Sequence, residues 1–100
     1  MALDHLHEPV NELRKSTLEM RRAVASLMEE LEAAHWYDER VDASEDEELK
    51  AILAHNRDEE KEHAAMLLEW IRRNDAAQAK ELKDYLFTEG SITELEEEHT

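Results

Sequence analysis

Gly90 and Pro9 are the only glycine and the only proline in 100 residues, so the chain has almost no punctuation for turns. Glu, Leu, Ala, Lys and Arg dominate instead, and they favour helix. The expected fold is all-α, one domain over residues 1–100. Pro9 can open a helix because the first turn does not need the N–H that proline lacks. No breaker follows until Asp38, which predicts helix 1 over about 9–38. Ser44-Glu45-Asp46-Glu47 has the spacing of a capping box, Ser at N-cap and Glu at N3, and predicts helix 2 over about 45–73. Asn74-Asp75 restarts a shorter helix over about 75–86, and Gly90 before Ser91-Ile92-Thr93-Glu94 signals another over about 91–98. The expectation is an antiparallel two-helix hairpin, each long helix about 45 Å, with a short C-terminal helical extension. Residues 89–100 carry five glutamates and no Lys or Arg, and read as a frayed, solvated end.

A chain this small recovers only somewhat more than half of its unfolded surface on folding, so association is the expected source of further burial. Against 27 Asp and Glu stand 12 Lys and Arg, a net charge of −15 that disfavours nucleic acid, whose phosphates need clustered basic residues. No apolar run approaches the roughly 20 residues of a membrane span. The start MALDHLHEPV has neither a basic n-region nor an apolar stretch, so the expected location is cytoplasmic. With no cysteine, disulfides, thiolate metal sites and thiol nucleophiles are excluded, leaving carboxylates and histidines.

Helix 1 carries a seam at Leu13, Thr17, Met20, Val24, Leu27, Leu31 and Ala34, spaced as in helices that pack nearly parallel. Helix 2 answers with Leu49, Ile52/Leu53, Asn56, Glu60, His63, Leu67 and Trp70/Ile71. At 100° per residue, Leu49, Leu53, Leu67 and Ile71 fall within about 20° of Glu60. A carboxylate therefore points where a leucine is expected. Such a group is costly unless it is paired or binds a metal, and Glu60-Lys61-Glu62-His63 is an E-x-x-H in which carboxylate and imidazole share one helix face. The motif alone fits a structural Glu–His pair as well as a metal site. On helix 1, Glu30 stands among Ala23, Ser26, Ala33, Ala34 and Tyr37, small neighbours that allow another helix close. Di-iron carboxylate bundles take one Glu from each of two helices and one Glu-x-x-His from each of the other two. This chain holds half of that set, so two chains would be needed, each giving Glu30, Glu60 and His63 to one dinuclear centre, to make a four-helix arrangement by dimerisation.

The stretches HEP, MEELEAAHWYDERVDA, ILAHNRDEEKEHAAM, LEWIRRNDA and YLFTEG resemble the encapsulated ferritins, ferritin-like cargo proteins of encapsulin nanocompartments, across residues 7 to about 95. The resemblance implies a ferroxidase that oxidises Fe(II) to Fe(III) with O2 at an inter-subunit di-iron centre, two iron ions per subunit pair. It implies that Glu30, Glu60 and His63 are the ligands, that dimers assemble into a ring-shaped decamer, and that an encapsulin shell holds the stored iron. It further implies that Glu29 and Glu32 match acidic positions where metal enters, with Trp36 and Tyr37 close by. Without it, Glu29 and Glu32 read as solvated helix surface. Tyr37 is open between a hydrogen-bond donor to the centre, a radical trap and a packing aromatic. Family members carry a C-terminal targeting peptide beyond the helices, and this sequence ends at EEEHT with none.

Two other functions compete: a non-catalytic helical oligomerisation module with a structural Glu–His pair, and a rubrerythrin-like peroxide reductase, which the absence of cysteine argues against. Met20, Met28 and Met66 are expected as core fillers. His5, His7, His35, His55 and His99 receive no role.

Overall fold

The computed structural model describes residues 5–99. Met1 to Asp4, the start of the MALDHLHEPV segment, and Thr100 lie outside them. A 3-10 turn at Val10–Glu12 precedes four helices: α1 (Lys15–Ala43), α2 (Glu47–Asn74), α3 (Ala76–Tyr85) and α4 (Ile92–His99). No strand is present among the described residues, and α1 and α2 form the expected hairpin. No helix is long and apolar enough to cross a membrane.

The boundaries of the first two helices correct the expectation. Pro9 does open helical structure, but only one turn of it, closed by Glu12 N–H on the Pro9 carbonyl at 3.0 Å. Leu13 and Arg14 are then extended, and α1 starts at Lys15. It also runs past Asp38 to Ala43, because nothing from Glu39 to Ala43 breaks a helix and Arg40 in the last turn suits the negative end of its dipole. Ser44 is not the N-cap of α2. It is extended at the end of α1, where its N–H reaches the Arg40 carbonyl, and its Oγ accepts from Asp46 N–H at 3.3 Å. Asp46 caps α2 instead, its carboxylate accepting from Leu49 N–H at 2.9 Å. Serine and aspartate are equally good caps, and extended geometry at Ser44, with the turn it makes onto Asp46, leaves Asp46 as the last residue before the helical run.

Asp75 caps α3 in the same manner, accepting from Gln78 N–H at 3.0 Å. Beyond Tyr85 the chain turns through Phe87 and Gly90, both at positive φ, which is easy for Gly90 and unusual for Phe87. Ser91 then starts α4, its carbonyl accepting from Leu95 N–H. The acidic tail is therefore not frayed over its length. Its helix returns to α3, with the His99 ring against Tyr85 and His99 Nδ1 3.8 Å from Asp84.

Little of this chain is buried. Among the described residues the buried hydrophobic ones are Ala23, Ala25, Ala34, Ala64 and Ile71, and no large side chain is completely enclosed. Met28 and Met66, expected as fillers, are exposed, and Leu31 from the helix 1 seam is 56 % exposed. The expected helix 1 seam is therefore only partly covered, with Ala34 buried and Met20, Val24 and Leu27 half-buried. The most buried positions of the two long helices are mostly small residues, Ala23, Ala25, Ala34 and Ala64, with Ile71. The radius of gyration is 17.5 Å, against about 13 Å for a compact chain of this length.

Candidate metal centre

Glu30 and Glu60 stand 15 residues on either side of Glu45, the middle of the link between α1 and α2. An antiparallel hairpin with so short a link brings positions symmetric about it to the same height, so a carboxylate near the midpoint of each helix meets the other. His63 follows one turn after Glu60 on the same side of α2. Ligating atoms of Glu30, Glu60 and His63 all lie within 4.8 Å of one another. The side chains of Glu30 and Glu60 are 26 % and 24 % exposed and that of His63 is 43 % exposed. The cluster is thus closed toward the hairpin and open on its imidazole side.

His63 Nδ1 is 3.5 Å from Glu30 Oε2 and 3.7 Å from Glu60 Oε2. Both distances are longer than a hydrogen bond of normal strength, and the buried Glu30 Oε2 has no hydrogen-bond partner. Native structures rarely leave a buried carboxylate oxygen in that state. A cation among the three groups would satisfy it, since two carboxylates and one imidazole are the oxygen and nitrogen donors that suit a divalent first-row metal such as iron.

The other residues singled out in the sequence are not brought into this cluster. Tyr37 lies about two helical turns beyond Glu30, roughly 10 Å along α1, with the Arg40 guanidinium 5.2 Å from its ring centre. Glu29, Glu32 and Trp36 are exposed. His35 and His55 pair one turn along their own helices with Glu39 at 3.5 Å and Glu59 at 2.8 Å. One feature of the surroundings escaped the sequence. Arg57, three residues before Glu60, donates from Nη1 to Asp38 Oδ1 across the hairpin at 3.0 Å and from Nε to Asp58 at 3.1 Å. The two carboxylates, Asp58 first, raise its affinity for its proton further above the ordinary arginine value. Only the hairpin's folding-back relates Asp38 to Arg57, and the local spacing gives no sign of it.

The model of the EncFtn-like family matches residues 5–89. This chain belongs to the EncFtn-like family. It is 67 % identical over 90 residues, 90 % of its length, to an encapsulated ferritin-like protein of Rhodospirillum rubrum. It is 44 % identical over 73 residues, 71 % of its length, to EncC, an encapsulin nanocompartment cargo protein of Myxococcus xanthus. The chain spans 64 % and 56 % of the lengths of those two relatives. The crystal structure of protein ne0167 from Nitrosomonas europaea is 66 % identical and superposes with a TM-score of 0.85, covering 89 % of this chain and 98 % of that one. The EncFtn-like match takes in Glu30, Glu60 and His63 and all of the hairpin.

Proposed function

We propose that this EncFtn-like chain is a ferroxidase that oxidises Fe(II) to Fe(III) with O2 for iron storage and detoxification within an encapsulin shell in the cytoplasm. Iron is the substrate, and the centre lies between two chains, each contributing Glu30, Glu60 and His63. The single observation that carries this reading is the buried, unpartnered Glu30 Oε2, set against Glu60 and His63 with every ligating atom within 4.8 Å. The carboxylates draw in Fe(II) and favour the more highly charged Fe(III), while His63 adds a neutral donor. Each Fe(II) gives one electron to O2.

The open side of the cluster supports a second chain. Ile52 and Trp70 lie within about 20° of His63 around α2, and both remain exposed. An apolar stripe beside a half-exposed ligand is a face suited to a second hairpin, and two hairpins make the four helices over which a di-iron site is built. Such dimers then close into a decameric ring. The names of the Rhodospirillum and Myxococcus relatives, one encapsulated and one an encapsulin cargo, support a shell partner.

The test is stoichiometric oxidation of Fe(II) added without oxygen and then exposed to air, followed by Fe(III) absorbance above the protein-free background. Glu30→Ala, Glu60→Ala and His63→Ala are each expected to fall to that background. Full activity in all three variants would leave the non-catalytic oligomerisation module, with a structural Glu–His pair, as the better account. Anomalous scattering at the iron edge from soaked crystals checks ligands and interface together.

A further inference from the structure

The ligands of the candidate centre come from two helices, so their meeting depends on how α1 and α2 are registered. Sliding one helix by a single residue moves a ligand about 1.5 Å and turns it by about 100°, whereas metal–ligand distances tolerate roughly 0.2 Å. Packing gives this hairpin little to hold register with. The buried residues of the two helices are Ala23, Ala25, Ala34, Ala64 and Ile71, with Leu27, Leu53 and Leu67 only half-buried, and alanine knobs are too shallow to lock ridges into grooves. The link at residues 44–46 fixes one end, but the ligands lie some 15 residues away, about 22 Å of helix. The contact of His63 with Glu30, at 3.5 Å, is too long to act as a lock.

Arg57 is placed to do so. Its side chain is anchored on α2 through Nε to Asp58, which aims Nη1 across the gap to Asp38 on α1 at 3.0 Å. The planar guanidinium offers both donors in a fixed fork. Arg57 is one turn from Glu60, about 4.5 Å along the axis, and the pair is only partly exposed. We infer that the Arg57–Asp38 hydrogen bond is a positioning tie that holds Glu30 of α1 in register with Glu60 and His63 of α2, so that all three close on one cation. This rests on the metal-centre reading given above. As a partly exposed ion pair the tie adds little to stability. Its work is to narrow the range of ligand geometries.

Cobalt(II), whose visible absorption band reports ligand geometry, tests the tie in the whole chain. Arg57→Gln and Asp38→Asn change the net charge in opposite directions, so an effect of charge alone would shift cobalt affinity in opposite directions. A tie predicts the same direction for both. Each is expected to weaken cobalt binding about tenfold, the lower end of what residues supporting metal ligands are worth, and to broaden the band, with helix content by circular dichroism unchanged. The double variant is expected to lose no more than the single ones. Unchanged affinity and band shape in either single variant, or shifts of opposite sign, would overturn the tie. A cobalt band that survives intact in His63→Ala would instead overturn the metal-centre reading, and the tie with it.

Discussion

Glu30 shows how one atom ties burial to chemistry. Its buried Oε2 lacks a hydrogen bond, so in metal-free protein it is a source of instability on the order of 1 kcal/mol. Glu30→Gln removes a charge from that position while keeping the shape. It is expected to raise the melting temperature of the metal-free protein by a few degrees and to abolish Fe(II) oxidation, which thermal denaturation with a chelator and an oxidation assay check in parallel. A melting temperature that falls instead would mean that Glu30 already has its partner without metal. Glu29 and Glu32 make the opposite prediction. They share an i, i+3 face of α1 and are exposed, so they cannot complete the Glu30 centre within this chain. If they guide iron inward, Glu29→Ala and Glu32→Ala leave the centre occupied in a soaked crystal and change the oxidation rate at low ionic strength, where guidance by charge is strongest. An unchanged progress curve under those conditions would assign them to solvated surface.

At the level of elements, Asp46 rather than Ser44 carries the cap of α2. Asp46→Ala is expected to lose about 1 kcal/mol of stability, and Ser44→Ala clearly less, in urea denaturation at one protomer concentration. Equal losses would mean that the two side chains share the cap. The end of α2 holds a different device. Glu69 accepts from Nε and Nη2 of Arg72 at 2.6 and 2.7 Å and from Nε of Arg73 at 2.7 Å. Those arginines, Arg72 first, push its carboxyl from 4.5 down to about 2. A carboxyl depressed on folding stabilises the protein above its unfolded value and loses that contribution as pH falls through the folded one. The melting temperature is therefore expected to drop between about pH 4.5 and pH 2, and Glu69→Gln to flatten part of that drop. The group is exposed, so the effect is small. A Glu69→Gln profile that overlays wild type would show that the pair leaves the folding equilibrium untouched.

Over the whole molecule, the extents of 49 × 41 × 19 Å and the exposed Leu31, Ile52, Met66 and Trp70 describe a hairpin whose burial is unfinished. Two hairpins meeting at the cluster would also bring two copies of Glu30 and two of Glu60 together, which is unfavourable without cations. Metal is thus expected to drive assembly. Light scattering should report a larger species with Fe(II) or Co(II) than with chelator, and Trp70→Glu should suppress that growth without loss of helix. Equal masses with and without metal would sever assembly from the centre.

Helix, and the polar interruptions in the apolar stripe of α2, were legible without a structure. One glycine and one proline in 100 residues left little punctuation for turns, and the dominant Glu, Leu, Ala, Lys and Arg favour helix, while Glu60 and His63 stood out because polar groups on an apolar stripe break a periodicity that sequence displays directly. Glu30 was found by the company of small residues around it. The start of α1 at Lys15, the transfer of the cap from Ser44 to Asp46, the folding-back of α4 and the pairing of Asp38 with Arg57 were not legible. Each depends on which of several locally equivalent choices is compatible with neighbours distant along the chain. Sequence likewise put Leu31 in the helix 1 seam on the same footing as Ala34. The fold buries Ala34 and leaves Leu31 exposed, because how far a seam position is covered depends on what packs opposite it, and only the packed hairpin decides that.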